Sequence, residues 1–173
     1  MPIENELKYV LPLDFSEASL KDWQRHDIRQ GYLEEGPRIR QRDDDYLFTY
    51  KKWVPAAKLL VEIETLIPGS DFDLLWPLCV ERLQKTRYVK MADECEWVVD
   101  FLRDAAGAVY FVQAEVEMPE GQAGPDGIPD VVRNHIVYAV AAEDNRFTNK
   151  KLADPDYAAT LRRKVCEPEA AEG

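Results

Sequence analysis

The chain is poor in the residues from which most zinc and redox sites are built. It has three cysteines, Cys79, Cys95 and Cys166, and two histidines, His26 and His135, and neither histidine has a Cys or His neighbour in sequence. A zinc site of the usual kinds is therefore not expected. Three scattered thiols without a Cys-x-x-Cys motif are typical of reduced cysteines, which predicts a cytoplasmic protein.

Glycine-rich nucleotide motifs and long apolar runs are also missing. No Gly-x-Gly-x-x-Gly follows a strand pattern and no Gly-x4-Gly-Lys-Ser/Thr occurs, so neither a Rossmann site nor a P-loop is predicted. No apolar run approaches the ~20 residues that cross a bilayer, and the charged beginning of the chain does not resemble a signal peptide. A formal net charge of −11 disfavours nucleic acid and anionic membranes as partners. A small anionic ligand stays compatible, because only the local arrangement of the 22 basic residues decides its binding.

What the chain does have is a succession of short alternating segments within a length that fits one domain. Three helices are predicted, from Ser16 to about Arg25, from Ser70 to about Leu78 and from Pro155 to Cys166, while 129–142 fits neither element securely. Strands are predicted at 3–11, 28–33, 37–42, 46–53, 59–67, 82–91, 95–102 and 109–118. Short strands with tight connections and few helices predict an α+β fold whose eight-stranded antiparallel sheet closes into a barrel.

Charges of one sign recur at every second position of these strands, which places them on one face. Any single pair fits a solvated sheet face. The whole set fits that interpretation less well, because like charges on one face repel and the opposite faces carry much of the apolar content. A closed barrel with a charged lumen, wrapped by helices, satisfies both features. The pairs of one sign are Glu4 and Glu6, Arg38 and Arg40, Glu62 and Glu64, Lys85 and Arg87, and Glu115 and Glu117; Lys8 shares the face of Glu4 and Glu6, Lys51 that of Thr49, and Asp100 is a further candidate.

The two kinds of charge indicate two kinds of ligand. Carboxylates clustered without histidine or cysteine suit Mg²⁺ or Mn²⁺, which prefer oxygen ligands. Clustered arginine and lysine suit phosphate oxygens. A triphosphate needs both at once, since cations hold its length and a metal neutralises oxygens at the reacting phosphorus.

The ordered pattern resembles the CYTH superfamily, also called triphosphate tunnel metalloenzymes, over about residues 3–153. One departure is Leu7, which stands where the usual Glu-x-Glu-x-Lys signature has arginine before its lysine. The elements that carry the resemblance are Glu4-Asn5-Glu6-Leu7-Lys8, Gln30-Gly31-Tyr32-Leu33, Arg38-Ile39-Arg40, Thr49-Tyr50-Lys51, Glu62-Ile63-Glu64, Lys85-Thr86-Arg87-Tyr88, Trp97-x-x-Asp100, Glu115-Val116-Glu117 and Asn149-Lys150-Lys151-Leu152-Ala153.

The resemblance implies a tunnel domain over 1–153 and a C-terminal helix and tail over 154–173 that pack on or near a tunnel mouth. It also implies roles for individual residues. Glu4, Glu6 and Glu117 would be the first metal ligands, Glu115 and Asp100 further candidates, and Glu62 and Glu64 would support a second metal or orient the bases. Phosphates would be held by Lys8, Arg38, Arg40, Lys51, Lys85 and Arg87. Tyr32 is a candidate for proton transfer, although an ordinary tyrosine with a pKa of ~10 is a poor base at neutral pH.

The resulting functional hypothesis is metal-dependent hydrolysis of a triphosphate, with inorganic tripolyphosphate as the favoured substrate. Two alternatives stay open. One is a class IV-type adenylate cyclase or another nucleoside or thiamine triphosphatase, and the other is a non-catalytic module that binds polyphosphate or nucleotide. The family alone suggests a homodimer.

Overall fold

A computed structural model of the chain describes residues 5–167. Glu4 and the predicted frayed tail beyond Glu167 lie outside that range. The described chain forms one antiparallel sheet with a few short helices, which confirms the α+β class. The strands are β1 (Glu6–Val10), β2 (Gln24–Tyr32), β3 (Arg38–Arg42), β4 (Asp45–Val54), β5 (Leu59–Leu66), β6 (Glu81–Ala92), β7 (Cys95–Arg103), β8 (Val109–Glu117) and β9 (Tyr138–Val140).

All eight predicted strands are present, but the sheet has nine strands in residues 5–167, so the predicted total of eight is wrong. The additional strand, β9, lies in the segment that the sequence left unassigned and pairs with β1 through Lys8 to Val10. The strand order is β5-β4-β3-β2-β6-β7-β8-β1-β9. Over residues 5–167 this order has β5 and β9 at its ends, so closure of the sheet into a barrel stays a prediction.

The helix predicted from Ser16 to Arg25 is wrong. This segment makes a single 3₁₀ turn over Glu17–Leu20, and the Ser16 side chain caps nothing there. From Gln24 onward the backbone instead pairs with β6, beginning with Gln24 opposite Val89. The hydrogen bonds of a long central strand outweigh a weak local helix pattern.

The other helices are α1 (Gly69–Leu75), followed by a 3₁₀ turn over Trp76–Leu78, and α2 (Asp130–Arg133), α3 (Asn149–Leu152) and α4 (Pro155–Cys166). Of these, α1 and α4 lie where the sequence predicts helices, whereas α2 lies in the unassigned segment 129–142 and α3 was not predicted. Asp154 caps α4, because its side chain accepts hydrogen bonds from the backbone N–H groups of Asp156 and Tyr157. Within residues 5–167, no helix has the length and apolar character needed to span a membrane.

Apolar residues cover the outer face of the sheet in two places. Over β1, β6, β7 and β8, the segment that contains Phe15, Leu20 and Trp23 packs on Trp97 and its buried neighbours. Over β2, β3 and β4, α1 packs on Ile39 through Phe72. Because side chains alternate along a strand, this outer apolar packing turns the charged positions of the same strands inward.

A third apolar cluster lies on the inner face, at one end of the sheet. By strand alternation, Leu83 lies on the same face as Lys85, and Leu102 lies on the same face as Asp100. Both leucines and Phe111 are buried. The C-terminal segment supplies the other half of the cluster through Phe147, Leu152, Ala158 and Leu161. The chain after β9 therefore covers one end of the inner face, and the charged positions occupy the remainder.

Candidate functional site

The inner-facing side chains of β1 to β8 and of the segment that enters α3 line one cavity of ≈ 480 Å³, here called the central cavity. Six carboxylates and six cationic groups are among its lining residues. The predicted convergence of charged rows on a shared space is therefore present. The lining residues are Glu6, Lys8, Tyr32, Arg38, Arg40, Lys51, Glu62, Glu64, Arg87, Glu96, Val98, Glu115, Glu117, Thr148, Asn149 and Lys150.

Carboxylates gather where β1, β8 and β7 lie side by side. Glu6 is the cross-strand partner of Glu117, and Glu117 is in turn the partner of Glu96. One step along β8, Glu115 lies opposite Lys8. Like charges at directly paired positions destabilise a sheet unless a cation lies between them. The acidic row Glu6–Glu117–Glu96 is therefore a place where a bound cation would relieve repulsion.

Arginines gather on β3, on the other side of the sheet order. Arg40 donates from Nε to Gln30 Oε1 at 2.9 Å, and no ion pair is found for it among residues 5–167. Burial, together with the charges of Arg38 and Arg87, lowers the pKa of Arg40 to about 10. Arg38 donates from Nη2 to Thr49 Oγ1 at 3.3 Å, while its buried Nε donates to no described group. These cations repel one another, so an anion placed between them would be stabilising.

Among residues 5–167, three ion pairs join a cation and a carboxylate that both line the cavity. They join Lys8 to Glu6 at 3.3 Å, Lys51 to Glu62 at 3.2 Å and Arg38 to Glu64 at 3.7 Å. Their side chains are 16–46% exposed. Partly exposed pairs of this kind contribute little to stability, so a phosphate can replace the carboxylate as a partner of each cation at small cost.

Beneath the cavity lies a buried group of two cations and one carboxylate. Asp100 accepts from Lys85 Nζ at 2.7 Å and from Arg87 Nε and Nη2 at 2.7 Å each. Burial opposes ionisation of Asp100, but the two cations outweigh it and hold its pKa below the ordinary value. Burial, followed by the positive charge of Arg87, lowers the pKa of Lys85 to about 8 and outweighs the opposing effect of Asp100. Lys85 also donates to Asn149 Oδ1 at 3.2 Å, which links this group to α3.

Tyr32 lies at the cavity wall with its hydroxyl held by Gln30, whose Nε2 donates to it at 2.5 Å. Burial raises the pKa of Tyr32, and this effect outweighs the opposing influence of Gln30 and of the cations Arg38, Arg40 and Lys8. A raised pKa keeps the phenol protonated at neutral pH. Tyr32 is therefore placed to donate a hydrogen bond or a proton and is a poor general base.

The structure divides the predicted metal residues into three groups. Glu6, Glu115 and Glu117 lie together on β1 and β8. Glu62 and Glu64 line the same cavity from β5, where cations pair with them. Asp100 lies below the cavity with its oxygens bonded to Lys85 and Arg87. The predicted phosphate residues all line the cavity, except for the buried Lys85.

Sequence reasoning missed several residues of the site. Glu96 shares the inner face of β7 with Asp100, and its spacing of four residues from Asp100 carried that signal. Gln30 and Gln113 are buried inward-facing amides that no charge pattern indicates. Thr148 and Lys150 reach the cavity only because the C-terminal segment folds back over the sheet.

The carboxylate row Glu6–Glu117–Glu96 is the part of the cavity that could hold a metal ion. Within residues 5–167 no three carboxylate, imidazole or thiol groups are already arranged around a single ion position. The carboxylate row offers oxygen ligands alone, which matches Mg²⁺ or Mn²⁺. Mg²⁺ usually keeps several waters and binds through one or two carboxylates together with substrate phosphates. Neighbouring carboxylates beside a cationic wall are consistent with that mode.

Comparisons with known proteins reveal the fold and no activity. No family model matches the chain, and no curated protein matches it. The crystal structure of the hypothetical protein NE1496 is similar with a TM-score of 0.61 at 26% identity, over 87% of this chain and 97% of that one. The PH1012 protein from Pyrococcus horikoshii OT3 gives a TM-score of 0.50 at 14% identity, over 70% and 81% of the two chains. A Bacillus halodurans protein with a provisional adenylate cyclase description gives 0.45 at 16% identity over 70% and 82%, a likeness too low to carry an argument.

Proposed function

We propose that this protein hydrolyses a triphosphate, with inorganic tripolyphosphate as the favoured substrate, inside the central cavity. The observation that carries the proposal is the joint lining of one cavity by six cations and six carboxylates, which come from seven strands and from α3. A purely structural interior would be apolar, because buried charges are costly unless they are paired or bind a ligand. The cavity instead matches a ligand that is strongly anionic and binds metal.

The sheet in this proposal curls around the ligand as the eight-stranded tunnel of the CYTH superfamily. Lys8 on β1 and Tyr32 on β2 are separated by β6, β7 and β8 in the strand order, yet the charge of Lys8 acts on the Tyr32 hydroxyl. Such proximity across the sheet requires strong curvature. A tunnel would exclude bulk water and strengthen every charge interaction with the substrate.

The cations bind and orient the polyphosphate. Arg38, Arg40 and Arg87 offer planar groups that can donate two hydrogen bonds to one phosphate, while Lys8 and Lys51 act as point charges. Lys85 acts from below the cavity. During reaction these groups stabilise charge on the equatorial oxygens of the transferred phosphoryl group.

The carboxylates Glu6, Glu117 and Glu115 would hold the divalent cation, with Glu4 as a further candidate by resemblance. When bound, the cation supplies charge neutralisation at the phosphate oxygens and lowers the pKa of a bound water. Glu62 and Glu64, which pair with Lys51 and Arg38, orient these cations until the phosphates arrive.

The reaction is a displacement at the terminal phosphorus. The oxygen of water bonds to that phosphorus, the bond to the bridging oxygen breaks, and phosphate and diphosphate leave. The attacking water loses its proton to solvent or a cavity carboxylate. The Tyr32 hydroxyl, which its raised pKa keeps protonated, can donate a hydrogen bond to phosphate oxygen.

A second candidate substrate is an organic triphosphate, and one observation favours it. A smaller cavity of ≈ 190 Å³ adjoins the central cavity and shares Glu6, Lys8 and Thr148 with it. Val140, Ala141 and Ala142 give it an apolar side. This space could receive the organic part of a nucleoside or thiamine triphosphate. If a ribose hydroxyl replaced water as the attacking group, the same site would form a cyclic nucleotide.

The test is a substrate panel. Purified protein is incubated with tripolyphosphate, ATP or thiamine triphosphate, with Mg²⁺ or Mn²⁺, and products are resolved by ³¹P NMR and chromatography. We expect tripolyphosphate to be hydrolysed to phosphate and diphosphate, and we expect this activity to disappear when the metal is chelated. Glu117→Gln should reduce turnover by about 100-fold. Glu120→Gln, which changes an exposed loop residue, should not reduce it.

Other products identify the alternatives. Formation of cyclic AMP from ATP would show that the protein is a cyclase and not a hydrolase. Tight, saturable binding of tripolyphosphate without turnover of any triphosphate would make the protein a binding module and refute the enzymatic proposal.

A further inference from the structure

Gln113 is a buried amide on the inner face of β8. The residue is only 1% exposed. In the strand register it lies between Asp100 of β7 and Val10 of β1. Its Nε2 donates to Glu115 Oε1 at 2.7 Å. Its Oε1 is buried as well and accepts no hydrogen bond from any residue of 5–167.

The orientation of this amide follows from its neighbour. Rotating it by half a turn would set its carbonyl oxygen against the Glu115 carboxylate, and two acceptors repel. Gln113 must therefore present its N–H₂ to Glu115 and its oxygen elsewhere. A buried acceptor without a donor is costly, and a buried water is the usual donor in such places.

Glu115 has competing partners that make its orientation important. It lies opposite Lys8 in the register, and its charge favours the charged forms of Lys85 and Arg87. No ion pair with any of the three is found for it among the described residues. The hydrogen bond from Gln113 fixes one oxygen of this carboxylate, on the strand that also carries Glu117.

We propose that Gln113 is a positioning residue, which holds the Glu115 carboxylate ready to bind a divalent cation and accepts a hydrogen bond from a buried water through its own Oε1. The inference rests on the proposed function. Carboxylates that bind metals are commonly oriented by a second hydrogen-bonding group, whose removal typically weakens metal affinity about 10–100-fold. Gln113 would be such a group in this chain.

The test measures Mn²⁺ binding to the substrate-free protein by the loss of the free Mn²⁺ signal in electron paramagnetic resonance. Gln113→Met keeps the size of the side chain and removes both the donor and the unpartnered oxygen. We expect Mn²⁺ affinity to fall about tenfold, with an unchanged melting temperature of the metal-free protein. Should this variant fail to fold, Gln113→Asn, whose shorter amide cannot reach Glu115, should give the same loss.

Gln30 provides a matched control. It is also fully buried and faces inward, but it bonds to Tyr32 and Arg40 and not to a carboxylate. Gln30→Met should leave Mn²⁺ affinity unchanged and weaken tripolyphosphate binding. A loss of Mn²⁺ affinity in Gln30→Met, with unchanged Mn²⁺ affinity in Gln113→Met, would contradict the inference.

The remaining outcomes separate the inference from the proposed function. Equal Mn²⁺ affinity of the wild type and Gln113→Met would overturn the positioning role, and wild-type turnover of tripolyphosphate, measured in parallel, would show whether the function still holds. Absence of Mn²⁺ binding to the wild type would overturn the inference. With tripolyphosphate turnover also absent, the proposed function would fail with it.

Discussion

At the scale of single residues, the arginines of the cavity differ in what surrounds them. Arg87 donates two hydrogen bonds to the Asp100 carboxylate. The pKa of Arg87 is raised despite burial, because the negative charge and the hydrogen bonds of Asp100 together outweigh the effect of burial. Arg40 has Gln30 as its hydrogen-bond partner and two neighbouring cations, and its pKa is lowered. The two guanidinium groups therefore have different tasks. Arg87 is part of the framework, whereas Arg40 is poised for an anion.

This difference predicts a small effect on stability and a large effect on binding for one substitution. Arg40→Met relieves the repulsion among like-charged neighbours but leaves the buried Gln30 Oε1 without its donor, so the free energy of unfolding without ligand should fall by no more than about 2 kcal/mol. The affinity for tripolyphosphate should fall about 10–100-fold, as expected for loss of a charge-assisted hydrogen bond. Urea unfolding and isothermal titration calorimetry in the presence of a chelator measure the two effects.

Arg25→Met is the matched control, because Arg25 lies on the surface with its side chain 52% exposed and pairs with Asp27. It should change neither quantity by much. An Arg40→Met protein that binds tripolyphosphate as tightly as the wild type would show that Arg40 does not contact the ligand.

At the scale of elements, α4 stabilises the end of the sheet that the charges leave free. Its Ala158 and Leu161 pack with Leu83, Leu102 and Phe111 of β6, β7 and β8. Because those three positions share the inner face, without α4 their apolar surface would open into the cavity. The C-terminal helix therefore completes the core, although it follows the last strand.

The prediction at this scale is a loss of stability with little loss of binding. Leu161 is 6% exposed, and Leu161→Ala should lower the free energy of unfolding by about 3 kcal/mol. Leu74 on α1 is 74% exposed, and Leu74→Ala should stay within about 0.5 kcal/mol. Urea unfolding compares the two, and the shared gain in helix propensity cancels. Equal costs would mean that α4 does not pack on the sheet.

At the scale of the whole molecule, period-2 alternation predicted all eight main strands and the inward rows of charge. It could do so because most strands combine an apolar outer face with charged residues on the inner face, which gives a clear period of two. The segment from Ser16 to Arg25 was mistaken for a helix because pairing of Gln24 with Val89 is a long-range contact that local sequence does not reveal.

Other parts of the site depend on contacts between distant segments. Glu96 joins the acidic row only through the register of β7 with β8, and Asn149 reaches Lys85 across 64 positions of sequence. The three-residue β9 is too short for a periodic signal. A homodimer and hydrogen-bonded closure of the barrel stay predictions, because both depend on contacts beyond those the described residues make.

The most direct test of the account is a crystal structure with tripolyphosphate and Mn²⁺, using anomalous scattering at the manganese edge. The account predicts an anomalous peak beside Glu6 and Glu117, with the phosphates against Arg38 and Arg40 in the central cavity. A peak or phosphates on the outer face of the sheet, with the cavity occupied by the ion pairs alone, would contradict it.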